Sequence, residues 1–319
     1  MESPETTSFR PPSAVDETII MPRAVIVPGP RTPISQRELA ARHGLTIAGQ
    51  RPTLADYTRQ LWRYRHFIAT YANGRLIASF STARLGRLWQ VLTPLANAAI
   101  YYLIFGVLLN TRQGVPNFVA YLCTGLFVFT FTQTVVLSGV RSISGQLGLV
   151  RALYFPRASL PIAVMLTHLQ SQLVASIVLM GIVVATGDPV TVHWLTLPPA
   201  LLLQSIFNAG LALVVARLGA KLPDLRQLMP YVMRTWMYAS GVFYSVQFFA
   251  AHLPGAAATA LQANPLLVYI QLARHALLES PPVAAPTPRL WLLGVGWAIL
   301  TCVGGYIFFW RGEQEYGRG

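Results

Sequence analysis

LGLVRALYFPRASLPIAV, residues 147–164, is a cationic turn punctuated by proline, in which Arg151 and Arg157 flank Tyr154, Phe155 and Pro156. Long apolar segments lie on both sides of it. A short basic loop between two membrane spans stays on the cytoplasmic side, and the rest of the chain reads as what this loop connects.

Uncharged windows cover residues 88–111, 113–140, 158–187, 189–216, 235–273 and 290–310. Each reaches the roughly 20 residues that carry a helix across a bilayer. With 54% hydrophobic and 11% charged residues, the 319-residue chain is expected to be an all-α integral membrane protein rather than a pair of soluble domains. Six spans are expected, and the fifth window is too long for one helix. The first 50 residues lack the apolar core of a cleavable signal, so the first span is expected to serve as its own. Cys123 and Cys302 fall inside spans and read as small packing residues.

A net charge of +13 raises nucleic acid as a partner, but the placement of the charge argues against it. All the basic residues except Arg112, Arg274 and Arg289 fall in the amino-terminal arm, the two inner connections, the start of the fifth span or the tail. That asymmetry predicts that both termini are cytoplasmic.

Three regions follow. Residues 1–50, rich in Pro, Arg, Thr and Ser, are expected to form a disordered cytoplasmic extension, either a passive tail or a contact for a partner or anionic lipid. Residues 51–74 are expected to form an amphipathic interface helix. Thr53 and Asp56 resemble a capping box, and Leu54, Tyr57, Leu61, Tyr64, Ile68 and Tyr71 recur on one face with Arg59, Arg63 and His66 largely off it. That stripe is expected to enter the acyl boundary, with Asn73-Gly74 ending the helix; packing on a partner is the alternative. Residues 75–319 are the six-span region, with Arg84 and Arg87 at the inner interface and Pro94 kinking the first span or marking its first turn. In the fifth window, Leu253-Pro254-Gly255 and Asn264-Pro265 predict two re-entrant half-helices, 256–263 and 266–278, between spans five and six.

The chemistry that is missing narrows the function. The only lysine, Lys221, sits between Ala220 and Leu222, outside any Walker-type phosphate loop, and neither an HExxH pair, a zinc-type cysteine cluster nor a Gly-x-Ser-x-Gly elbow occurs. None of the acids falls inside a span, which disfavours a gradient-driven lipid-glycan flippase, and a membrane enzyme acting on polyprenyl lipid would show an acidic metal-binding pair. His168 reads as an interhelical hydrogen-bond partner or a proton relay. With Thr167, Gln170, Ser171 and Gln172 it forms a polar patch on span three, suited either to a hydroxylated substrate or to helix packing. Aromatic residues including Tyr101, Phe105, Trp236 and Tyr244 offer faces on which sugar rings stack, or ordinary packing.

LGRLWQVLTPLANAAIYYLIFGVL, residues 85–108, resembles the start of the first span in the permease subunits of type-2 ABC exporters of polysaccharides, at Leu85, Gly86, Trp89, Pro94, Tyr101, Phe105 and Gly106. LVRALYFPRASLPIA resembles the inner loop of that family at Phe155, Pro156, Arg157 and Pro161, and NPLLVYIQLARHALL its outer re-entrant segment at Asn264, Pro265, Leu266 and Arg274. The likeness runs from about Thr53 to the end of the chain.

The resemblance implies a non-enzymatic transport subunit of the bacterial inner membrane. It would work as a homodimer with two copies of a nucleotide-binding ATPase subunit that supply the ATP and Mg sites, so this chain carries no cofactor or metal of its own. The substrate implied is a polyprenyl-diphosphate-linked polysaccharide of the O-antigen or teichoic acid kind. Arginine in place of nearly all lysine points to a GC-rich genome and, within the family, to a galactan exporter of the mycobacterial type. The roles implied are ATPase coupling for Arg151, Tyr154, Phe155, Pro156 and Arg157. Arg59, Arg63, Arg84 and Arg87 would meet the substrate diphosphate. Tyr101, Phe105, His168, Gln172, Trp236 and Tyr244 would line the glycan conduit, and Asn264, Pro265 and Arg274 would form an outer gate. A drug-exporting permease of the same superfamily differs from this reading only in its substrate.

Overall fold

A computed structural model of the chain describes residues 52–81, 88–108, 115–153, 155–245, 255–279, 286–314 and 316. The extension 1–50, Arg84, Arg87 and Tyr154 lie outside the described residues. Those that are described form helices and turns, with no strand among them.

The chain is a multi-pass, all-α membrane protein. Five helices are long and apolar enough to cross a bilayer. They are α3 (Trp89–Tyr101), which continues as a π-helical segment over Tyr102–Leu108, then α4 (Phe118–Gly139), α6 (Ser159–Ala185), α7 (Leu197–Lys221) and α11 (Thr287–Arg311). The 22 residues of α4 cover about 33 Å. Most of this helix is buried, as expected of a largely apolar element, and α3, α6, α7 and α10 (Pro265–Leu277) pack against it.

Ahead of the spans, α1 (Leu54–Arg63) starts under the predicted cap. The Thr53 hydroxyl accepts the Asp56 N–H at 3.2 Å and donates to the Asp56 carboxylate at 2.6 Å. The chain bends at Tyr64 and α2 (Arg65–Ser81) follows. The expected break at Asn73-Gly74 does not occur. Gly74 faces open space and costs the helix about 1 kcal/mol relative to alanine, while Ile68 and Ala72 on either side of Tyr71 pack against Ala163 of α6 and hold the helix in place. The apolar stripe also faces its own chain: its Tyr57 and Ile68, with Ala72 beside them, are buried against other elements, and the exposed side carries Arg59, Arg63 and Trp62, the last 70% exposed.

The loop between α4 and α6 holds a 3₁₀ turn, Ser144–Gln146, and the short helix α5 (Leu147–Ala152). At the other end of α6, Gly187 takes a left-handed φ of 101°, and the N–H groups of Gly187 and Asp188 return to the carbonyls of Val184 and Val183. Asn117, which caps α4, donates to Asp188 at 2.6 Å and to the Thr186 hydroxyl at 2.9 Å, tying these two helix ends together.

The fifth predicted span is not one continuous helix. After α8 (Leu225–Ala239) the chain turns at Ser240 and Gly241, the latter with φ of 62°. The two predicted half-helices are present as α9 (Gly255–Gln262) and α10, each within a residue or two of expectation. Asn264 caps α10 through the Leu266 N–H at 3.1 Å, donates to the Ala239 carbonyl at 3.0 Å and accepts the Trp236 indole N–H at 3.0 Å.

Arg274 of α10 fastens the same break from the other side. Its side chain is 1% exposed. The guanidinium donates to the Tyr121 carbonyl from Nε (3.2 Å) and Nη2 (3.1 Å), to Gly241 from Nη1 (2.9 Å) and to Val242 from Nη2 (3.0 Å). It lies 3.3 Å from the centroid of the Tyr121 ring, and a Cβ on Gly125 would come within 2.7 Å of Nη2. Tyr121 adds its own hydroxyl, which donates to the Tyr244 carbonyl at 3.0 Å.

Glycines set the closest helix contact. A Cβ on Gly210 of α7 would sit 2.1 Å from the Thr301 carbonyl oxygen of α11, and one on Gly305 would sit 2.3 Å from the Gly210 carbonyl oxygen. Gly210→Val is therefore expected to separate α7 from α11 and cost about 3 kcal/mol or more, read as a lower unfolding temperature in detergent. Gly181→Ala, where nothing lies within 4 Å, should leave that temperature unchanged or raise it. Arg274→Leu strands the Gly241 and Val242 carbonyls and should cost about 3–5 kcal/mol; a folded yield equal to that of the unaltered chain would contradict the clamp.

Candidate functional site

A cavity of about 440 Å³ opens among α2, α3, α4 and α6. Its polar side chains come from helices at one-turn spacing. Thr130, Thr134 and Ser138 recur every fourth residue on α4, and two such pairs, Thr167 with Ser171 and His168 with Gln172, come from α6. Trp89, Phe127 and Phe131 supply apolar surface, and Arg75 and Ser79 of α2 complete one side.

The chemistry of this wall is mild. His168 Nε2 and the Ser138 hydroxyl share a hydrogen bond of 2.9 Å. The Thr134 hydroxyl donates back to the Thr130 carbonyl at 2.9 Å and that of Thr167 to the Ala163 carbonyl at 2.9 Å, which leaves their oxygen lone pairs free to accept. Gln172 is buried and its Nε2 donor has no partner among the described residues. The cavity thus presents acceptors, a spare donor, the Arg75 guanidinium and aromatic faces, with no carboxylate among its lining residues. Such a surface suits a hydroxyl-rich chain, neutral or anionic.

The structure divides the predicted conduit residues between two places. His168 and Gln172 line the cavity. Tyr101 and Phe105 instead gather around Phe243, at ring-centroid distances of 4.8 and 4.4 Å, next to the break that follows α8. Trp236 is bonded to Asn264 and the Tyr244 hydroxyl to the Tyr238 carbonyl, so both brace that break. The residues proposed for the outer gate lie there too, with Asn264 and Pro265 opening α10 and Arg274 in its carbonyl clamp. Sequence reasoning missed Arg75, Trp89, Thr130, Thr134 and Ser138 as cavity residues, although the four-residue recurrence of hydroxyls on α4 was there to be read.

A second cavity, about 530 Å³, lies at the loop end of the bundle between Gln60 and Arg63 of α1, Tyr64 at the bend, and Phe155 and Pro156 of the loop. Arg59, Arg63 and Arg151 are exposed, whereas Phe155 and Pro156 are buried and Arg157 half-buried. Phe155 packs on Phe67 of α2 with ring centroids 5.4 Å apart. Arg157 reaches the tail: its main-chain N–H donates to Glu313 Oε1 at 3.1 Å and its guanidinium to the Glu313 carbonyl oxygen. Burial pushes the Glu313 carboxyl above the usual range, against the pull of the Tyr57 hydrogen bond and of Arg157, and burial beside Glu313 pushes the Tyr57 phenol well up. Among the described residues no cluster of three or more metal-ligating side chains occurs.

Comparison with known proteins places this arrangement. Residues 68–278 match the family model of the ABC-2 type transporter. The chain is 28% identical over 186 residues to an O-antigen export system permease protein of Myxococcus xanthus, covering 58% of this chain and 71% of that protein. It is 24% identical over 243 residues to an O-antigen export system permease protein of Klebsiella pneumoniae, covering 76% and 90%. A polysialic acid transport protein of Escherichia coli is 24% identical over 202 residues, covering 62% and 76%. The matched region contains α2 from Ile68 onward, the basic loop around Arg151 and Arg157, the hydroxyl-lined cavity and the clamped break, and the chain belongs to the ABC-2 type transporter family.

Proposed function

We propose that this chain is the permease subunit of an ATP-driven exporter that moves a polyprenyl-diphosphate-linked polysaccharide out of the cytoplasm across a bacterial inner membrane. The observation that carries the reading is the cavity lined by Thr130, Thr134, Ser138, His168 and Gln172, a hydroxyl, imidazole and amide wall built on spanning helices. The names of the relatives supply the substrate class: two export O-antigen and one transports polysialic acid.

In this reading two copies of the chain assemble with two ATPase subunits, which hold ATP and Mg, and both termini lie in the cytoplasm. Arg59 and Arg63 on the exposed side of α1 meet the substrate diphosphate, joined by Arg84 and Arg87 on sequence grounds, because a guanidinium binds phosphate oxygens in pairs. Hydroxyls of the glycan then exchange bonds along the α4 and α6 wall. Each bond there is weak and replaceable, which favours passage over retention. Galactan is the glycan that the family resemblance implies for a chain whose arginine-rich composition points to a GC-rich genome.

Inverted membrane vesicles holding the permease and its ATPase should take up lipid-linked polysaccharide only when ATP is supplied, and an uncoupler should not reduce the uptake. Uptake that collapses with the proton gradient would assign the chain to gradient-driven flipping, and transport of hydrophobic drugs in place of the glycan would change the substrate class. Within that assay, Gln172→Leu combined with Ser138→Val should lower uptake by about tenfold, the loss of one or two hydrogen bonds, while Ile177→Ala on the exposed face of α6 should have no effect. Replacing Arg59 and Arg63 together by Gln should reduce uptake without reducing the amount of assembled complex.

A further inference from the structure

The segment just after α11 does more than end the chain. Glu313 Oε2 accepts the Tyr57 hydroxyl at 2.7 Å and Oε1 accepts the Arg157 N–H at 3.1 Å. Tyr57 in turn accepts the Ala158 N–H at 3.1 Å. These amides stand immediately ahead of α6, whose own N-cap residue, Ala158, has no side-chain oxygen with which to cap it. The first-turn donors of α6 already meet main-chain carbonyls, Ser159 at Pro156 and Leu160 at Arg157, so the carboxylate from the tail and the phenol from α1 fasten the two amides that lead into the helix, and negative charge at a helix N-terminus is favourable.

Mere anchoring of the tail does not require this carboxylate. Tyr316 stacks on Phe309 at 4.7 Å and donates to the Phe309 carbonyl at 3.1 Å. The Trp310 indole donates to the Pro52 carbonyl at 3.0 Å, and the Tyr306 and Thr58 hydroxyls share a bond of 2.9 Å. With α1, α11 and the tail already joined, what Glu313 adds is a grip on the loop.

We propose that Glu313 is a positioning residue that locks the loop at 155–158 to α1 and the tail, so that a push on the loop reaches α6, and with it His168 and Gln172, without being absorbed by slack. This rests on the reading that an ATPase drives the chain through this loop.

The test uses the full-length chain with its ATPase subunits in nanodiscs, and the same variants in the exporting cell. In nanodiscs without substrate, amide hydrogen exchange at Arg157 and Ala158 should speed up by about tenfold or more in Glu313→Ala, less in Glu313→Gln, which keeps one acceptor, and at Ala158 in Tyr57→Phe. Unchanged exchange would overturn the grip itself, whatever the chain transports. In cells, Glu313→Ala should lower surface polysaccharide per ATP hydrolysed by about tenfold at unchanged complex abundance, with Glu313→Gln restoring part of it. Normal export per ATP would overturn the positioning role. If Glu313→Ala fails to accumulate, Tyr57→Phe, which keeps the ring and the Arg157 bonds, decides by the same two readouts. Absence of export by the unaltered chain would count against the proposed function, while the exchange arm would still score the grip.

Discussion

A guanidinium enclosed in a helical bundle must have its donors satisfied, and for Arg274 main-chain carbonyls rather than an acid do this, all four bonds ending on Tyr121, Gly241 or Val242. The Gly241 and Val242 carbonyls are available because α8 stops at Ala239 and the chain turns, leaving acceptors that a continuous helix would have used, while the Tyr121 carbonyl offers a second lone pair from within α4. The break and the arginine thus satisfy each other. Asn264 closes the same seam from the start of α10, and Phe243 beside it collects Tyr101 and Phe105 of the first span. Take away the clamp and the irregular backbone has no reason to remain inside apolar surroundings.

The second constraint is closeness. Gly210 and Gly305 bring α7 and α11 into main-chain contact, and Gly219 does the same for α7 against Val140 at the end of α4. Together with the clamp these contacts leave α4 enclosed in the centre. The polar wall of the cavity lies between α4 and α6, and α6 is the helix whose start is held by Tyr57 and Glu313. One rigid element therefore joins the basic loop to the hydroxyl-lined cavity.

Much of this was legible in the sequence. Apolar windows gave the long helices, Thr53 and Asp56 gave the start of α1, and the prolines at 254 and 265 gave the paired half-helices, because each of these signals is local. Other features depend on partners far along the chain. A stripe such as Tyr57, Leu61 and Ile68 reads the same whether it faces lipid or protein, and only the fold shows it against α6 and the tail. Gly74 signals a helix end by composition, yet the helix runs through it, held just before it by Ile68 and Ala72 against Ala163. Nothing near Glu313 in sequence marks it as the partner of Tyr57, 256 residues away. Arg274 was readable as unusual but not as buried, since its ligands are carbonyls and carbonyls leave no trace in a sequence.

Passage of the glycan along the α4 and α6 wall is tested most directly by placing a photo-reactive benzophenone amino acid at Thr134, inside the cavity, and at Ile177, on the exposed face of α6, and illuminating cells during export. Passage through the cavity predicts a ladder of polysaccharide adducts from position 134 that disappears when ATP hydrolysis is blocked, and none from position 177. Export that proceeds with no adduct at 134, or with equal adducts at both positions, would contradict it.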